Sequence, residues 1–456
     1  MVVRTRIAPS PTGQDLHVGN IYTGLLNYAY AKKHNGQFII RVEDTDRERY
    51  VEGSEERILT SLKKFGLNYD EGPDIGGNFA PYRQSERLEI YTNYAKELIS
   101  KGHAYYCFCT KERLDELRKK QTENGEKTRY DRFCLNNVED SDTRIKNGEK
   151  HVVRLKVPDD EKIKFNDLIR GEIVIDSIEL DDQVLLKSDG FPTYHLGVVI
   201  DDHLMEISHI IRAEEWISST PKHVLLYRYF GWEEPVFAHL PLLRNSDHSK
   251  LSKRKNPVWA SWYIENGYLP EAMINFLALL GWSHPEEKEI FSLDEFIKFF
   301  DLKDVHPAGP IFDLTKLEWM NGVYIREVLT EDDLKERLFI FYRNDVKVSH
   351  YIENSRILNL AKTRMNTLLE FKNLVVKSEN AATPNEILKQ DLKIELEKIS
   401  KDEWHANKIF SVFKNLAEKH KIKMPAIYEI FTGKKQGLPL PDFLEAIGRD
   451  ESFNRI

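Results

Sequence analysis

Two short stretches of the sequence are crowded with residues that handle phosphate or carboxylate groups. The first is Arg6–Asn20, RIAPSPTGQDLHVGN. It leaves a strand-like segment (VVRTRIA), turns through two prolines and a glycine, and ends where a helical pattern starts (NIYTGLLNYAYAKKHNG). The N–H groups at such a helix entrance lack partners and favour anions. Gly13 and Gly19 permit close approach of a ligand to the backbone. His17 can donate to a phosphate without the bulk of an arginine. Taken alone, the stretch reads first as a Pro-rich turn with a capping histidine. The second stretch is Ser249–Asn256, SKLSKRKN, where Lys250, Lys253, Arg254 and Lys255 crowd a polar loop. Such a loop can cover a triphosphate and offset charge that grows during phosphoryl chemistry. Alone it reads as a solvated run of charge. Neither GxGxxG nor GxxxxGK[ST] occurs, so dinucleotide-binding and P-loop readings lack their main support.

The elements around these stretches alternate. VVRTRIA and QFIIRVEDTD read as strands and NIYTGLLNYAYAKKHNG as a helix stopped by Gly36. SEERILTSLKKFG reads as a second helix, with Ser54 as N-cap and Gly66 beyond its end. Strand, helix, strand, helix predicts a parallel, doubly wound sheet. Ligands of such sheets bind outside the carboxyl ends of the strands, where both the opening loop and EDTD lie. From about Pro81 to Gly190 the pattern changes to a charged helix, a CFC element, the polar KKQTENGEKTRYDR and the strand-like HVVRLKV and EIVIDSIEL. This predicts an insertion. An apolar strand pattern returns in SDGFPTYHLGVVIDDHL, followed by HIIRAEEW. After Met320 the chain becomes a succession of amphipathic helices rich in Lys and Glu.

Composition narrows the class. The chain has 456 residues, 31% charged and 41% hydrophobic, with a net charge of -8. That is an ordinary composition for a multidomain enzyme and excludes a uniformly basic nucleic-acid coat, so a polyanionic partner must meet local basic patches. No targeting segment leads the sequence, and no apolar run nears the roughly 20 residues of a membrane span. Three cysteines, two of them in CFC, argue against a disulfide framework and for a reducing compartment. A cytoplasmic protein, with no membrane partner and monomeric, is expected.

Read together, the two stretches are far more specific than either alone. His17-Val-Gly-Asn20 and Lys250-Leu-Ser-Lys-Arg254 resemble the HIGH and KMSKS signatures of class I aminoacyl-tRNA synthetases. RIAPSPTG, RVEDTDRERY, PYRQSER, LLKSDGFPTYHL, VIDDHL, IRAEEW and LPLLRN resemble the bacterial glutamyl-tRNA synthetases, in order, from residue 2 to about 325 and more weakly to the end. The resemblance implies an α/β fold: a Rossmann-like class I catalytic domain with an α+β insertion, then an all-α C-terminal anticodon-binding region. The implied domains are 1–80 with 191–245 (catalytic), 81–190 (acceptor-stem insertion), 246–325 (stem contact with the KLSKR loop) and 326–456 (anticodon), the last split near 380. The implied activity is that of a glutamate–tRNA ligase. Glutamate and ATP form glutamyl-adenylate, and the glutamyl group passes to the terminal adenosine of tRNA(Glu). The attacking carboxylate is already ionised, so the chemistry needs alignment and charge stabilisation rather than a base.

By motif position, the resemblance assigns His17, Gly19, Lys250 and Lys253 to catalysis. It assigns His17, Gly19, Asn20, Lys250, Ser252, Lys253 and Arg254 to ATP, with Mg2+ sharing the triphosphate charge. Arg6, Ser10, Glu43, Tyr194, Arg212 and Trp216 would bind glutamate, Arg6 meeting the side-chain carboxylate and Ser10 with Glu43 the ammonium. Two departures stand out: Asn20 replaces the last His of the signature, and Val198 stands where the family often has Asn. Cys107, Cys109, Tyr130 and Cys134 would hold one zinc ion near the acceptor end of tRNA, Tyr130 serving because Asn136 stands where some relatives have His. Three ordinary reduced cysteines are the alternative. The periodicity of the helical tail alone does not exclude a dimerisation module. The resemblance assigns it to the anticodon, and Arg364, in LAKTRMNTLLEF, matches the arginine of members that reject glutamine tRNA. A glutaminyl-tRNA synthetase would carry a β-barrel tail, and a glutamyl-queuosine synthetase no tail at all.

Overall fold

The computed structural model describes residues 2–252, 257–378 and 386–456. The chain divides into two compact units. One holds Met1–Ser261 and Ile274–Phe312, the other Trp262–Met273 and Asp313–Ile456.

The first unit starts with β1 (Arg4–Ile7), α1 (Val18–Lys33) and β2 (Gln37–Ile40), the two strands pairing in parallel from Arg4↔Gln37 to Ile7↔Ile40. All four residues of β1 are buried, arginines included. Arg4 survives there because Glu71 takes two of its N–H groups at 3.0 and 3.2 Å. The chain leaves α1 through Asn35 (φ 53°), which takes the left-handed turn expected of Gly36. Gly36 is needed for another reason: a Cβ there would lie 2.0 Å from the Val3 carbonyl oxygen. α2 (Ser54–Lys64) is capped one residue earlier than the pattern predicts, by Gly53 at φ 71°. That left-handed residue turns Ser54 into the protein, so its buried hydroxyl does not cap, and it has no hydrogen-bond partner among the described residues.

Next come α3 (Leu88–Ser100), β3 (Ala104–Cys107), α4 (Lys111–Glu123), α5 (Phe133–Asn137), α6 (Ser141–Lys146), β4 (Val152–Leu155), β5 (Lys162–Asp167), β6 (Gly171–Asp176) and β7 (Val184–Leu186). β3, β4 and β7 form one antiparallel sheet. β5 and β6 form a hairpin whose first strand continues in parallel onto a later strand through Asp167↔Phe237. β5 alternates exposed lysines with buried Ile163 and Phe165, the signature of a strand with one wet face.

The segment YHLGVVIDDHL is a helix, α7 (Tyr194–Leu204), not the strand that its apolar run suggested. Leu196 through Asp202 are all buried, and a helix covered on every side has no polar stripe to reveal its period. β8 (His209–Ala213), α8 (Thr220–Phe230) and β9 (Val236–Leu240) complete the sheet, β8 and β9 pairing in parallel. β8 starts beside β1: Ser208 N–H donates to Arg4 O at 3.0 Å, and Arg4 N–H to Ser208 Oγ at 2.8 Å.

The second unit is helical, with no strand among its described residues. Thr330 and Asp333 form a capping box, and Asn354 and Asp313 cap two further helices. Leu334, Leu338, Ile352, Leu358, Phe371, Leu392, Ile409 and Phe413 are among its buried apolar residues. The expected split near 380 lies outside the described residues. No helix among the described residues is long and apolar enough to cross a membrane.

Candidate active site

A cavity of about 740 Å³ opens beside the carboxyl ends of β1, β2 and β8. Arg6, Ser10, Asn20, Glu43, Tyr194, Arg212 and Trp216 all line it, as does Val198. His17, Gly19, Lys250 and Ser252 do not line it, and Lys253 and Arg254 lie outside the described residues.

Arg6 lies next to the end of β1 and is nearly inaccessible. Its Nε and Nη2 donate to Oδ1 and Oδ2 of Asp202, both at 2.9 Å. This leaves the Nη1 edge of the guanidinium for a ligand. Asp202 also accepts from Arg41 Nη1 at 2.7 Å. Burial raises the pKa of Asp202, but Arg6 and Arg41 outweigh it and hold the carboxyl below its ordinary value. Neighbouring Asp201 accepts from Arg87 Nε, Tyr91 OH and Gln84 Nε2 at 2.8, 2.8 and 2.9 Å. α7 thus sets two buried carboxylates against Arg6, Arg41 and Arg87, and the motif VIDDHL alone does not single them out. Two adjacent acids inside an apolar run were the available signal, because buried acids need partners.

Glu43 continues from β2 and sits 3.4 Å from Arg41 Nη2. Burial pushes its pKa up to about 7, against the pull of Arg41 and Arg6. Its N–H donates to Pro9 O at 3.1 Å, tying EDTD to the opening loop. The ring of Tyr194 packs on Trp216 at 4.2 Å, tilted by 33°, to form an aromatic wall. Arg212 Nη1 donates to the Tyr194 hydroxyl at 2.9 Å. The cavity wall thus includes the guanidiniums of Arg6 and Arg212 and the carboxyl of Glu43.

The opening loop is fastened by Asp15, another residue that pattern alone did not mark. Its carboxylate accepts from Ser61 Oγ at 2.9 Å and from Ser261 N–H at 2.7 Å. His17 is the N-cap of α1, its Nδ1 accepting from Gly19 N–H at 2.9 Å. That bond leaves Nε2 to carry the proton of the neutral ring, so the capping role and a donor role are compatible. The two glycines make room for protein: a Cβ on Gly19 would lie 3.1 Å from the His17 ring, and one on Gly13 3.1 Å from Trp259. At the cavity rim, Lys250 Nζ pairs with Glu215 at 2.5 Å, and Glu215 itself lines the cavity.

A separate cluster gathers the three cysteines, whose sulfurs lie within 4.8 Å of one another. Cys109 Sγ is 3.5 Å from Cys134 Sγ, and the Tyr130 hydroxyl is 3.4 and 3.3 Å from Cys107 and Cys109 Sγ. Donors held tetrahedrally at about 2.3 Å (S) and about 2.0 Å (O) from one zinc ion would be about 3.5–3.8 Å apart. The cluster also favours an anion. Hydrogen bonds from Cys134, Tyr130 and Arg154 push the Cys107 thiol down to about 4 although burial opposes this. Arg113 Nη1 points at Cys109 Sγ from 3.4 Å, and Phe108 N–H at Cys134 Sγ from 3.3 Å. The residues present fit a zinc ion.

In the helical unit, Arg364 is exposed just past the helix Ser355–Lys362. No ion-pair partner meets it among the described residues. Its loop is pinned directly after it: Met365 is buried, and Arg326 Nη1 donates to Met365 O at 3.0 Å and to Asn366 Oδ1 at 3.1 Å.

Residues 2–319 match the family of class I tRNA synthetases (E and Q), catalytic domain, and residues 330–456 match an anticodon binding domain. The chain belongs to the glutamate–tRNA ligase family of class I synthetases. It is 46% identical to a glutamate–tRNA ligase of Cellvibrio japonicus, over 100% of this chain and 92% of that one. A glutamate–tRNA ligase of Acidothermus cellulolyticus is 55% identical over 74% of this chain and 67% of its own. A crystal structure of a glutamate tRNA ligase from Elizabethkingia meningosepticum, in complex with its amino acid, superposes with a TM-score of 0.83. It is 36% identical and covers 100% of this chain and 98% of that one.

Proposed function

We propose that the chain joins L-glutamate to tRNA(Glu) at the expense of ATP. The observation that carries this reading is that Arg6, Arg212 and Glu43 line one cavity, Arg6 and Arg212 each held by buried partners. A ligand with two carboxylates and one ammonium matches those charges. Arg6 and Arg212 present only N–H donors, which suit the two acceptor oxygens of a carboxylate. The side-chain amide of glutamine would turn an NH2 group toward one of them.

In the first step an oxygen of the α-carboxylate attacks the α-phosphorus of ATP and pyrophosphate leaves. In the second, a hydroxyl of the terminal adenosine of tRNA attacks the glutamyl carbonyl and AMP leaves. Arg6 and Glu43 fix the amino acid, and Trp216 and Tyr194 wall it from water. His17 and Gly19, at the entrance of α1, and Asn20 face the nucleotide, with Lys250, Ser252, Lys253 and Arg254 around its phosphates. Mg2+ would share the charge of the triphosphate. Cys107, Cys109, Cys134 and Tyr130 would hold a zinc ion that stiffens the insertion, here expected to meet the acceptor stem. Arg364 would read the anticodon and disfavour glutamine tRNA. Incubation with labelled glutamate, ATP and tRNA tests the reading: label should become attached to glutamate tRNA. Label on tRNA from glutamine but not from glutamate would overturn it.

A further inference from the structure

Behind the cavity, Arg212 is gripped by side chains that the chemistry above does not use. Its Nε lies 3.1 Å from His239 Nε2, its Nη1 3.2 Å from His223 Nδ1, and its Nη2 2.8 Å from Thr220 Oγ1. All three partners are buried, at 0%, 1% and 0% exposure, so no water can substitute for them. With the bond to Tyr194, four of the five guanidinium N–H groups are engaged, and one on Nη2 is left.

Each histidine is forced into one tautomer. Asp167 Oδ2 lies 2.6 Å from His239 Nδ1 and also accepts the His239 backbone N–H at 2.9 Å. A carboxylate only accepts, so Nδ1 carries the proton and Nε2 turns its lone pair to Arg212. A proton on Nε2 would oppose N–H to N–H and set two cations in contact. At His223 the roles of the ring atoms are reversed. Nδ1 faces the guanidinium and must accept, so Nε2 carries the proton and donates to His195 Nδ1 at 3.1 Å. The Thr220 hydroxyl has two acceptors for its single proton, Trp216 O at 3.0 Å and His239 Nε2 at 3.1 Å, and with either one its oxygen accepts from Arg212.

We infer that His239 and His223 are positioning residues, two neutral imidazoles that fix the Arg212 guanidinium from opposite sides and aim its one remaining N–H into the amino-acid cavity. The parts come from separated elements: Asp167 from β5, Arg212 from β8, His239 from β9, Thr220 and His223 from α8. Such a grip removes the rotational freedom that a long arginine otherwise has, and a ligand carboxylate meets a donor already in place. The inference rests on the glutamate reading of this cavity.

Amide side chains separate the two ring nitrogens. The Gln Oε1 reaches the place of Nε2, and the Asn Oδ1 the place of Nδ1. His239→Gln therefore keeps an acceptor for Arg212 and His239→Asn loses it, whereas His223→Asn keeps it and His223→Gln loses it. With tRNA present, His239→Asn and His223→Gln should raise KM for glutamate about tenfold or more, because a buried charged donor is left unpaired. His239→Gln and His223→Asn should raise it less than about threefold by the same reasoning. KM for ATP should stay near wild type in all four. Thermal melts of the four proteins separate loss of fold from loss of aim. Equal KM values within each pair, or a joint rise for glutamate and ATP, would overturn the inference. A wild-type chain that activates no glutamate would instead refute the reading of the cavity.

Discussion

The raised pKa of Glu43 makes glutamate binding depend on pH in a way that one substitution removes. The cavity walls desolvate Glu43 and push its pKa up to about 7, while Arg41 at 3.4 Å and Arg6 pull the other way. Only the ionised carboxylate can hold the substrate ammonium. Below pH 7 the empty site holds a proton that the substrate has to displace, and above pH 7 it does not. KM for glutamate then scales as one plus the ratio of proton concentration to the acid constant, a rise of about tenfold from pH 8 to pH 6. kcat should fall less, because the bound ammonium stabilises the carboxylate and lowers its pKa in the complex. Little else near the cavity should titrate in this window: burial pushes His195 down to about 3 and lowers His223 and His239. Glu43→Gln should give a KM that is high and flat with pH, at least about tenfold above wild type at pH 8 where the ion pair is lost. The free protein supplies an independent check. A carboxyl with a raised native pKa favours folding while protonated, and that stability is lost as pH rises through about 7. Glu43→Gln should therefore raise the melting temperature at pH 8 more than at pH 5. Steady-state kinetics from pH 6 to 8 decide the matter. A flat wild-type KM, or the same slope in Glu43→Gln, would refute this reasoning.

Other perturbations have separate readouts. Asp202→Asn leaves the buried Arg6 and Arg41 undercompensated and should cost about 3–5 kcal/mol in urea unfolding; a loss under about 1 kcal/mol would mean that the arginines find other partners. Protein purified without chelators should carry one zinc per chain by elemental analysis, and Cys134→Ser should release most of it; zinc-free wild type would contradict the cluster's assignment. Arg364→Gln should increase charging of glutamine tRNA relative to glutamate tRNA, and an unchanged ratio in competition assays would remove Arg364 from discrimination. Glu215→Ala frees Lys250 from its 2.5 Å ion pair and should lower KM for ATP; an unchanged KM would show that the pair does not compete with the phosphates.

β1, β2, β4, β6, the first helices and the family were legible in the sequence because their signals are local: an apolar run, a stop at a glycine, a motif of fixed spacing. The alternation of Lys162 to Asp167 was equally local and went unread. The helix Tyr194–Leu204 was misread for a physical reason, since an element buried on all faces loses its period. The cap of the second helix slipped by one residue because Gly53, not Ser54, takes the left-handed turn. What no local pattern can show is which distant side chains meet. Arg6 finds Asp202 across 196 positions and Asp167 finds His239 across 72. A histidine in a run such as VFAHL, or a pair of acids in VIDDHL, signals only that some partner is owed. The partner emerges from the placement of α7 against β1 and from the pairing of β5 with β9.

The most direct test is amino-acid-dependent exchange of pyrophosphate into ATP, run with tRNA present across glutamate, glutamine and aspartate. Glutamate should support exchange far better than either of the others: glutamine lacks the second carboxylate for the cavity's arginines, and the side chain of aspartate is one methylene shorter. Exchange with glutamine at a rate equal to or above that with glutamate would contradict the assignment of Arg6, Arg212 and Glu43 to a dicarboxylic amino acid.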